Sequence, residues 1–279
     1  MVYQFTKMQG AGNDYIYFNC LERELPHPEK VAVRLSDRHF GIGGDGIVLI
    51  CPSDVADAKM RMFNNDGSEG RMCGNAIRCV GKYLYDHKLV TKKVIQIETL
   101  SGIKTLLMDI TDDVATAATV DMGKAILTPA KIPVTIEAEQ VVNHPVTVDG
   151  QDKKITCVSM GNPHCVLFVD DVEQLKLETI GPKYENSPIF PDRVNTEFVQ
   201  ILDPNTIRMR VWERGSGETL ACGTGACAAV VASVLNGFCP KGEDVLVKLN
   251  GGDLVIRYTD ETVSMTGPAE EVFTGEIEL

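Results

Sequence analysis

Arg71–Ile77, RMCGNAI, and Leu220–Ala226, LACGTGA, place one Cys-Gly pair in two settings of a single chain. The second pair follows the first by 222 − 73 = 149 residues, and 161 − 12 = 149 likewise joins Gly12-Asn13 in MQGAGNDYIYF to Gly161-Asn162 in VSMGNPHCVLF. An apolar run follows each Gly-Asn pair. The same offset sets Phe63-Asn64 opposite Trp212-Glu213, each ending an apolar alternation, and Gly46 opposite Asn195. Ordered matches at one spacing mark an internal repeat, so the chain reads as two copies of one domain.

Local patterns give those copies a shape. PEKVAVRLSDR, residues 28–38, begins with proline suited to a first helical turn and spaces its apolar residues as a helix does. After Cys73, Ile77, Val80 and Leu84 fall on one helical face, whereas GTGACAAVVASVL after Cys222 is apolar nearly all round and must be buried on every side. Short β-like runs surround these helices, among them KVIQIETL, IKTLLMDI, VATAATVDM, KITCVSM, VLVKL, LVIRY and TVSMTG, separated by turn formers. The fold class expected is α/β of the α+β type: two pseudo-symmetric domains, each a curved mixed β-sheet wrapped around a central helix. The seam is expected at DMGKAILTPAKIP, giving domains 1–122 and 123–268, with the strand in 269–279 returning to the first.

Composition narrows the function. A chain of 279 residues, 44% hydrophobic and 24% charged, has the makings of a folded core. A formal net charge of −12 argues against nucleic acid, whose phosphates call for a basic surface. No apolar run approaches the ~18 residues of a membrane span, and MVYQFTKMQG lacks a leader pattern, so a cytoplasmic protein without membrane partners is expected. Nine cysteines, an odd number scattered without a C-x-x-C motif, suit reduced thiols better than a disulfide framework or a zinc site, and no metal is expected. GIGGDG, residues 41–46, matches a dinucleotide fingerprint only in spacing: a helix precedes it and a strand follows, the reverse of the order required.

Cys73 and Cys222 each stand between a Gly-Ser turn and a helix. Unpaired N–H groups and the helix dipole favour an anion there and lower a thiol pKa from about 8.5. If the domains close with approximate twofold symmetry, one thiolate removes a proton while the opposing thiol returns one to the other face, inverting a stereocentre. Cys20, Cys51, Cys79, Cys157, Cys165, Cys227 and Cys239 read as small buried hydrophobes.

GAGNDY, FNNDGSEGRMCGNAIRC, MGNPHCV, PDRVNTEFV and ERGSGETLACGTGACAA together resemble the diaminopimelate epimerase family over essentially the whole chain. The resemblance implies an isomerase without a cofactor that interconverts LL- and meso-2,6-diaminopimelate on the route to lysine and peptidoglycan, commonly as a homodimer. It implies Cys73 and Cys222 as the acid–base pair, with the backbone of Gly74-Asn75 and Gly223-Thr224 binding the carboxylate at the reacting carbon. Asn13, Asn64, Asn162 and Asn195 would bind the distal centre, with Arg214 on its carboxylate. Glu213 would receive an ammonium and, with His164, tune the thiols. One departure stands out: Gly46 occupies a position where some members carry Gln.

Two rival readings fit the same residues. A proline or hydroxyproline racemase would use two thiols but leave Arg214 and much of the Asn set without partners, at about 1–3 kcal/mol for each buried group. A thiol redox sensor would join Cys73 to Cys222 reversibly and turn over no substrate.

Overall fold

The first strands, β1 (Val2–Gly10) and β2 (Asn13–Asn19), form an antiparallel hairpin turning at Gly12, whose φ of 81° favours glycine. There follow α1 (Pro28–Ser36), β3 (Gly46–Cys51), β4 (Ala58–Asn64), β5 (Glu69–Gly70), α2 (Gly74–Asp86), β6 (Val94–Thr99), β7 (Gly102–Thr111) and β8 (Val114–Gly123). The chain continues through β9 (His144–Val148), β10 (Gln151–Ser159), β11 (Pro163–Phe168), α3 (Leu177–Glu185), β12 (Asn195–Asp203), β13 (Thr206–Glu213) and β14 (Gly217–Thr219). It ends with α4 (Gly223–Leu235), β15 (Asp244–Lys248), β16 (Asp253–Tyr258), β17 (Val263–Pro268) and β18 (Glu270–Glu278). This computed structural model describes residues 1–279 and divides into two units, 1–121 with 266–279 and 122–265. The class is α+β, with parallel and antiparallel pairings in each unit. No helix is long and apolar enough to cross a membrane.

The repeat extends to strand register. β2 pairs with β3 in parallel as Tyr15↔Gly46, and β11 pairs with β12 in parallel as His164↔Asn195, where 15 + 149 = 164 and 46 + 149 = 195. Met62↔Gly70 between β4 and β5 becomes Val211↔Thr219 between β13 and β14 under the same addition. The helices agree too: α2 at 74–86 maps onto α4 at 223–235, and α1 at 28–36 maps onto α3 at 177–185. In the first unit β18 runs antiparallel to β1.

Each sheet curves around one buried helix. α2 packs on β1, β2, β6, β7 and β18, and α4 packs on β10 to β13, β15 and β16. α4 is buried as its apolar sequence requires. α2 is buried as well although it carries Arg78 and Lys82, because both side chains find acceptors inside. Arg78 donates from Nε to Pro268 O at 3.1 Å and from Nη1 to Gly74 O at 3.1 Å, and Lys82 donates to Ala115 O at 2.6 Å and Asp86 at 2.7 Å. Buried donors so paired escape the penalty of desolvated, unsatisfied groups.

α3 has no counterpart among the helices expected from the sequence. Its segment, LETIGPKYE, places Gly181-Pro182 mid-helix, where glycine loosens the backbone and proline removes a hydrogen bond. Packing overrides that preference: a Cβ on Gly181 would lie 2.3 Å from Trp212 Cδ2, so the bare backbone lies directly against the indole.

Gly46 is constrained in a different way. Its backbone is nearly extended, but a Cβ there would lie 2.0 Å from Phe63 O and 2.8 Å from Tyr15 Cε1. The obstructing atom is sheet backbone and cannot swing aside, so no side chain fits without moving β4. Gly46→Ala is expected to destabilise the protein by about 1–3 kcal/mol through overpacking. Denaturant unfolding checks this; an unchanged midpoint would refute the close approach.

Candidate active site

In the first unit Cys73 is the N-cap of α2. Its extended backbone, φ −129°, lets Sγ turn back and accept from Ala76 N at 3.5 Å. The thiol also donates to Asn13 Oδ1 at 3.3 Å, bringing the hairpin turn onto the helix start. Asn13 Nδ2 donates in turn to Asp45 Oδ2 at 2.7 Å. Burial raises the Asp45 carboxyl above the ordinary range, and the neighbouring Asp14 charge adds to the rise. Asp14 goes the other way: burial pushes it up, but hydrogen bonds and charge from Arg38 and Lys7 hold it below its usual value. Lys7 Nζ lies 2.6 Å from Asp14, and Arg38 donates to it at 2.7 and 3.1 Å.

Gly74 and Asn75, the first residues of α2, are buried, and their N–H groups fall where a helix has no acceptors of its own. Asn75 Oδ1 is buried without a hydrogen-bond partner. Asn64 lies outside this set of contacts: its Nδ2 donates to Ser68 Oγ at 2.9 Å, closing the turn between β4 and β5.

The second unit repeats the cap with different chemistry around it. Cys222 is the N-cap of α4, accepting from Gly225 N at 3.3 Å, and Thr224 Oγ1 lies 3.5 Å from its sulfur. Asn162 Nδ2 donates to Thr224 Oγ1 at 3.2 Å, and Asn162 Oδ1 faces His164 Nε2 at 3.1 Å. His164 Nδ1 lies 2.7 Å from Glu197 Oε1, and both side chains are fully buried. Glu213 accepts a hydrogen bond from Thr219 Oγ1.

The second half-site departs from the expectation that a helix start lowers a thiol pKa. Burial drives Cys222 well above the usual thiol value, the charges of Glu213 and Glu197 push it further, and hydrogen bonds from Thr224 and Gly225 offset only part of this. Cys222 is therefore held as the thiol. Burial likewise raises the Glu213 carboxyl above its ordinary value, against hydrogen bonds from Thr219 and Cys222 and the charge of His164.

Asn195 and Arg214 meet through the backbone. Asn195 Nδ2 donates to Pro163 O at 2.8 Å, and its Oδ1 accepts from Arg214 N at 3.0 Å. The exposed Arg214 guanidinium donates to Asp192 O at 2.9 Å. Glu185, from α3, accepts from Trp212 Nε1 at 2.7 Å, Gly215 N at 2.9 Å and Arg193 at 3.1 Å, so one carboxylate fixes both flanks of the Glu213-Arg214 pair. Trp212 serves in packing.

Glu185, Glu197 and Asp45 carry these interactions without having been singled out from the sequence. A signal existed for Glu197: a lone carboxylate in the apolar run TEFVQI is either a misplaced surface residue or a paired buried charge. Two surface concavities hold none of the expected site residues. One of about 730 Å³ is lined by Tyr3, Phe5, Tyr17 and Arg23, and one of about 670 Å³ by Leu167, Leu175, Tyr184 and Phe238. Among the other cysteines, burial pushes the Cys79 thiol up to about 11 and Cys165 well above the usual range, which keeps both unreactive.

Comparison with known proteins places the chain in a family. The diaminopimelate epimerase family model matches residues 5–128 and 156–272. A diaminopimelate epimerase of Acetivibrio thermocellus is 57% identical over 278 residues, covering 99% of each chain. One of Methanococcus maripaludis is 53% identical over 278 residues, covering 99% of this chain and all of its own. Among solved structures, a Bacillus anthracis phenazine biosynthesis protein of the PhzF family has a TM-score of 0.74 at 14% identity, with all of both chains covered. A hydroxyproline epimerase from Agrobacterium vitis has a TM-score of 0.71 at 13% identity, covering all of this chain and 93% of its own; at such identities the likeness concerns the fold alone. With both repeats matched and relatives more than half identical nearly end to end, the chain belongs to the diaminopimelate epimerase family.

Proposed function

We propose that this protein interconverts LL- and meso-2,6-diaminopimelate without a cofactor, using Cys73 and Cys222 as its acid–base pair. The observation that carries the reading is the repeated thiol cap: equivalent positions of the two units place a sulfur at the start of a buried helix, beside N–H groups with no helical acceptor. The N–H groups of Gly74 and Asn75, and of Gly223 and Thr224, bind the carboxylate at the reacting carbon and stabilise charge that develops there. Proton transfer runs from the α-carbon to one thiolate while the other thiol protonates the opposite face, leaving the second sulfur as thiolate. The surroundings of Cys222 favour its protonated form and suit it as donor in one direction; in the reverse direction the two sulfurs exchange roles.

The remaining assignments belong to the same reading. Arg214 pairs with the distal carboxylate, Glu213 takes an ammonium, and Asn13, Asn64, Asn162 and Asn195 hold the unreacted centre. Asparagine suits this role because it donates and accepts at once. The protein works as a cytoplasmic homodimer, and light scattering tests the dimer. Assigning Arg214 to a distal carboxylate also disfavours a proline-type substrate, which has no second carboxylate to offer.

In heavy water, the reduced enzyme is expected to replace the α-proton of LL-diaminopimelate with deuterium as meso product forms. Cys73→Ala and Cys222→Ala are each expected to lose about 10²- to 10⁴-fold or more in rate. Racemisation of proline in place of this exchange would discard the substrate. Activity lost reversibly on oxidation, with none in the reduced protein, would favour a sensor.

Glu213→Gln separates charge from shape. The folded pKa of Glu213 lies above its unfolded value, so its stabilising contribution is complete below the unfolded carboxylate range and is lost as pH rises through the folded value. The variant is therefore expected to match wild type in unfolding midpoint near pH 4 and exceed it at pH 8. Removing the charge also lowers the Cys222 pKa, so iodoacetamide should alkylate Cys222 faster at pH 8 while epimerisation falls about 10²-fold. Slower alkylation would contradict the assigned electrostatics.

A further inference from the structure

Glu197 is fully buried in β12 between Thr196 and Phe198. A carboxylate in such a place is costly unless it is paired and hydrogen-bonded. Its Oε1 meets His164 Nδ1 at 2.7 Å, and a Cβ built on Gly225 would lie 2.7 Å from that same oxygen. The carboxylate thus lies against the first turn of α4, at the residue whose N–H caps Cys222 Sγ. Glycine at 225 is what leaves it room.

The other side of the imidazole leads to the same sulfur. Nε2 faces Asn162 Oδ1 at 3.1 Å, so both ring nitrogens meet acceptors, a pattern that the imidazolium satisfies with an N–H on each side. From there the donors run one way. His164 donates to Asn162 Oδ1, Asn162 Nδ2 donates to Thr224 Oγ1 at 3.2 Å, and the Thr224 hydroxyl is left to donate to Cys222 Sγ at 3.5 Å. With a neutral ring bearing its proton on Nδ1, the Asn162 amide must turn over to donate to Nε2. Thr224 then donates to Asn162, and the sulfur keeps the Gly225 N–H but loses its hydroxyl donor. Glu213, on the adjacent β13, is a second acidic group acting on the ring and on Cys222.

We infer that Glu197 is a positioning residue for the thiol chemistry: it holds protons on both nitrogens of His164 and thereby turns the Asn162–Thr224 chain to donate to the Cys222 sulfur. The role becomes important when Cys222 has released its proton, because a hydroxyl donor to a thiolate is a charge-assisted bond. Only the catalytic role of Cys222 rests on the reading under Proposed function. The hydrogen-bond chain stands apart from the substrate's identity.

The test uses the whole protein with ¹⁵N-labelled histidine rings, as wild type, Glu197→Gln, Thr224→Val, Thr224→Ser and the double variant Glu197→Gln/Thr224→Val. Wild-type His164 is expected to give the NMR signature of two protonated ring nitrogens, and Glu197→Gln that of one. The second readout is alkylation of Cys222 by iodoacetamide at pH 8, which needs no substrate. Thr224→Val should slow it about 3- to 10-fold in the wild-type background, consistent with loss of a hydrogen bond to sulfur. It should change nothing in the Glu197→Gln background, where the hydroxyl has already turned away, and Thr224→Ser should retain the wild-type rate. A neutral His164 in the wild type, two ring protons surviving in Glu197→Gln, or an equal Thr224→Val effect in both backgrounds overturns the inference. If wild type instead shows the NMR and alkylation pattern but fails to turn over diaminopimelate, the substrate assignment falls and the role of Glu197 stands.

Discussion

A sulfur that caps a buried helix must satisfy two opposed demands, and much of the structure follows from them. As a weak acceptor it does little for the helix start: Ala76 N and Gly225 N reach Cys73 and Cys222 at 3.5 and 3.3 Å. The helices persist because burial, rather than capping, holds them in place. α4 is stabilised by Val230, Val231 and their neighbours, fully enclosed at roughly 1.5–3 kcal/mol for each large apolar side chain. Because the cap is weak, the first N–H groups remain available to an anion. A serine or aspartate would cap better and leave less for a ligand.

The two half-sites share this geometry and differ in electrostatics. Near Cys73, Lys7 and Arg38 compensate Asp14, and Asn13 links the thiol to Asp45. Around Cys222 two carboxylates, Glu213 and Glu197, disfavour the thiolate, and hydrogen bonds from Thr224 and Gly225 oppose them. In the proposed mechanism a proton acceptor and a proton donor are different tasks. Surroundings that differ while the backbone repeats give each sulfur its own bias without changing the fold.

Much of this was legible in the sequence because a duplication gives every feature a second chance to be seen. The offset of 149 located both thiols, and the strand pairings follow it residue for residue in Tyr15↔Gly46 and His164↔Asn195. α3 is not among the expected helices although 28 + 149 = 177 points to its first residue, and Gly181-Pro182 interrupts its local helical pattern. Its helix is a product of contact with Trp212, which local propensity does not encode. Glu197 escaped for a related reason: alternation marks which strand faces are buried, but not which buried polar group has found a partner. Gly46 is the converse case. Its missing side chain reads as a lost contact until the carbonyl of Phe63 shows that the sheet leaves no space for one.

The carboxylate of Glu185 holds Trp212 on one side and Gly215 on the other, with Arg193 closing over it. The turn bearing Glu213 and Arg214 is thus ordered when the chain folds. Loops that must be immobilised by a ligand subtract that ordering entropy from its affinity, typically about 0.5–1.5 kcal/mol for each rotamer-rich side chain. Here folding has already met that cost for the backbone of the turn. With Glu213 and Arg214 in the roles proposed for them, what the two side chains gain on contact can therefore go into discriminating one stereoisomer's distal end from another's.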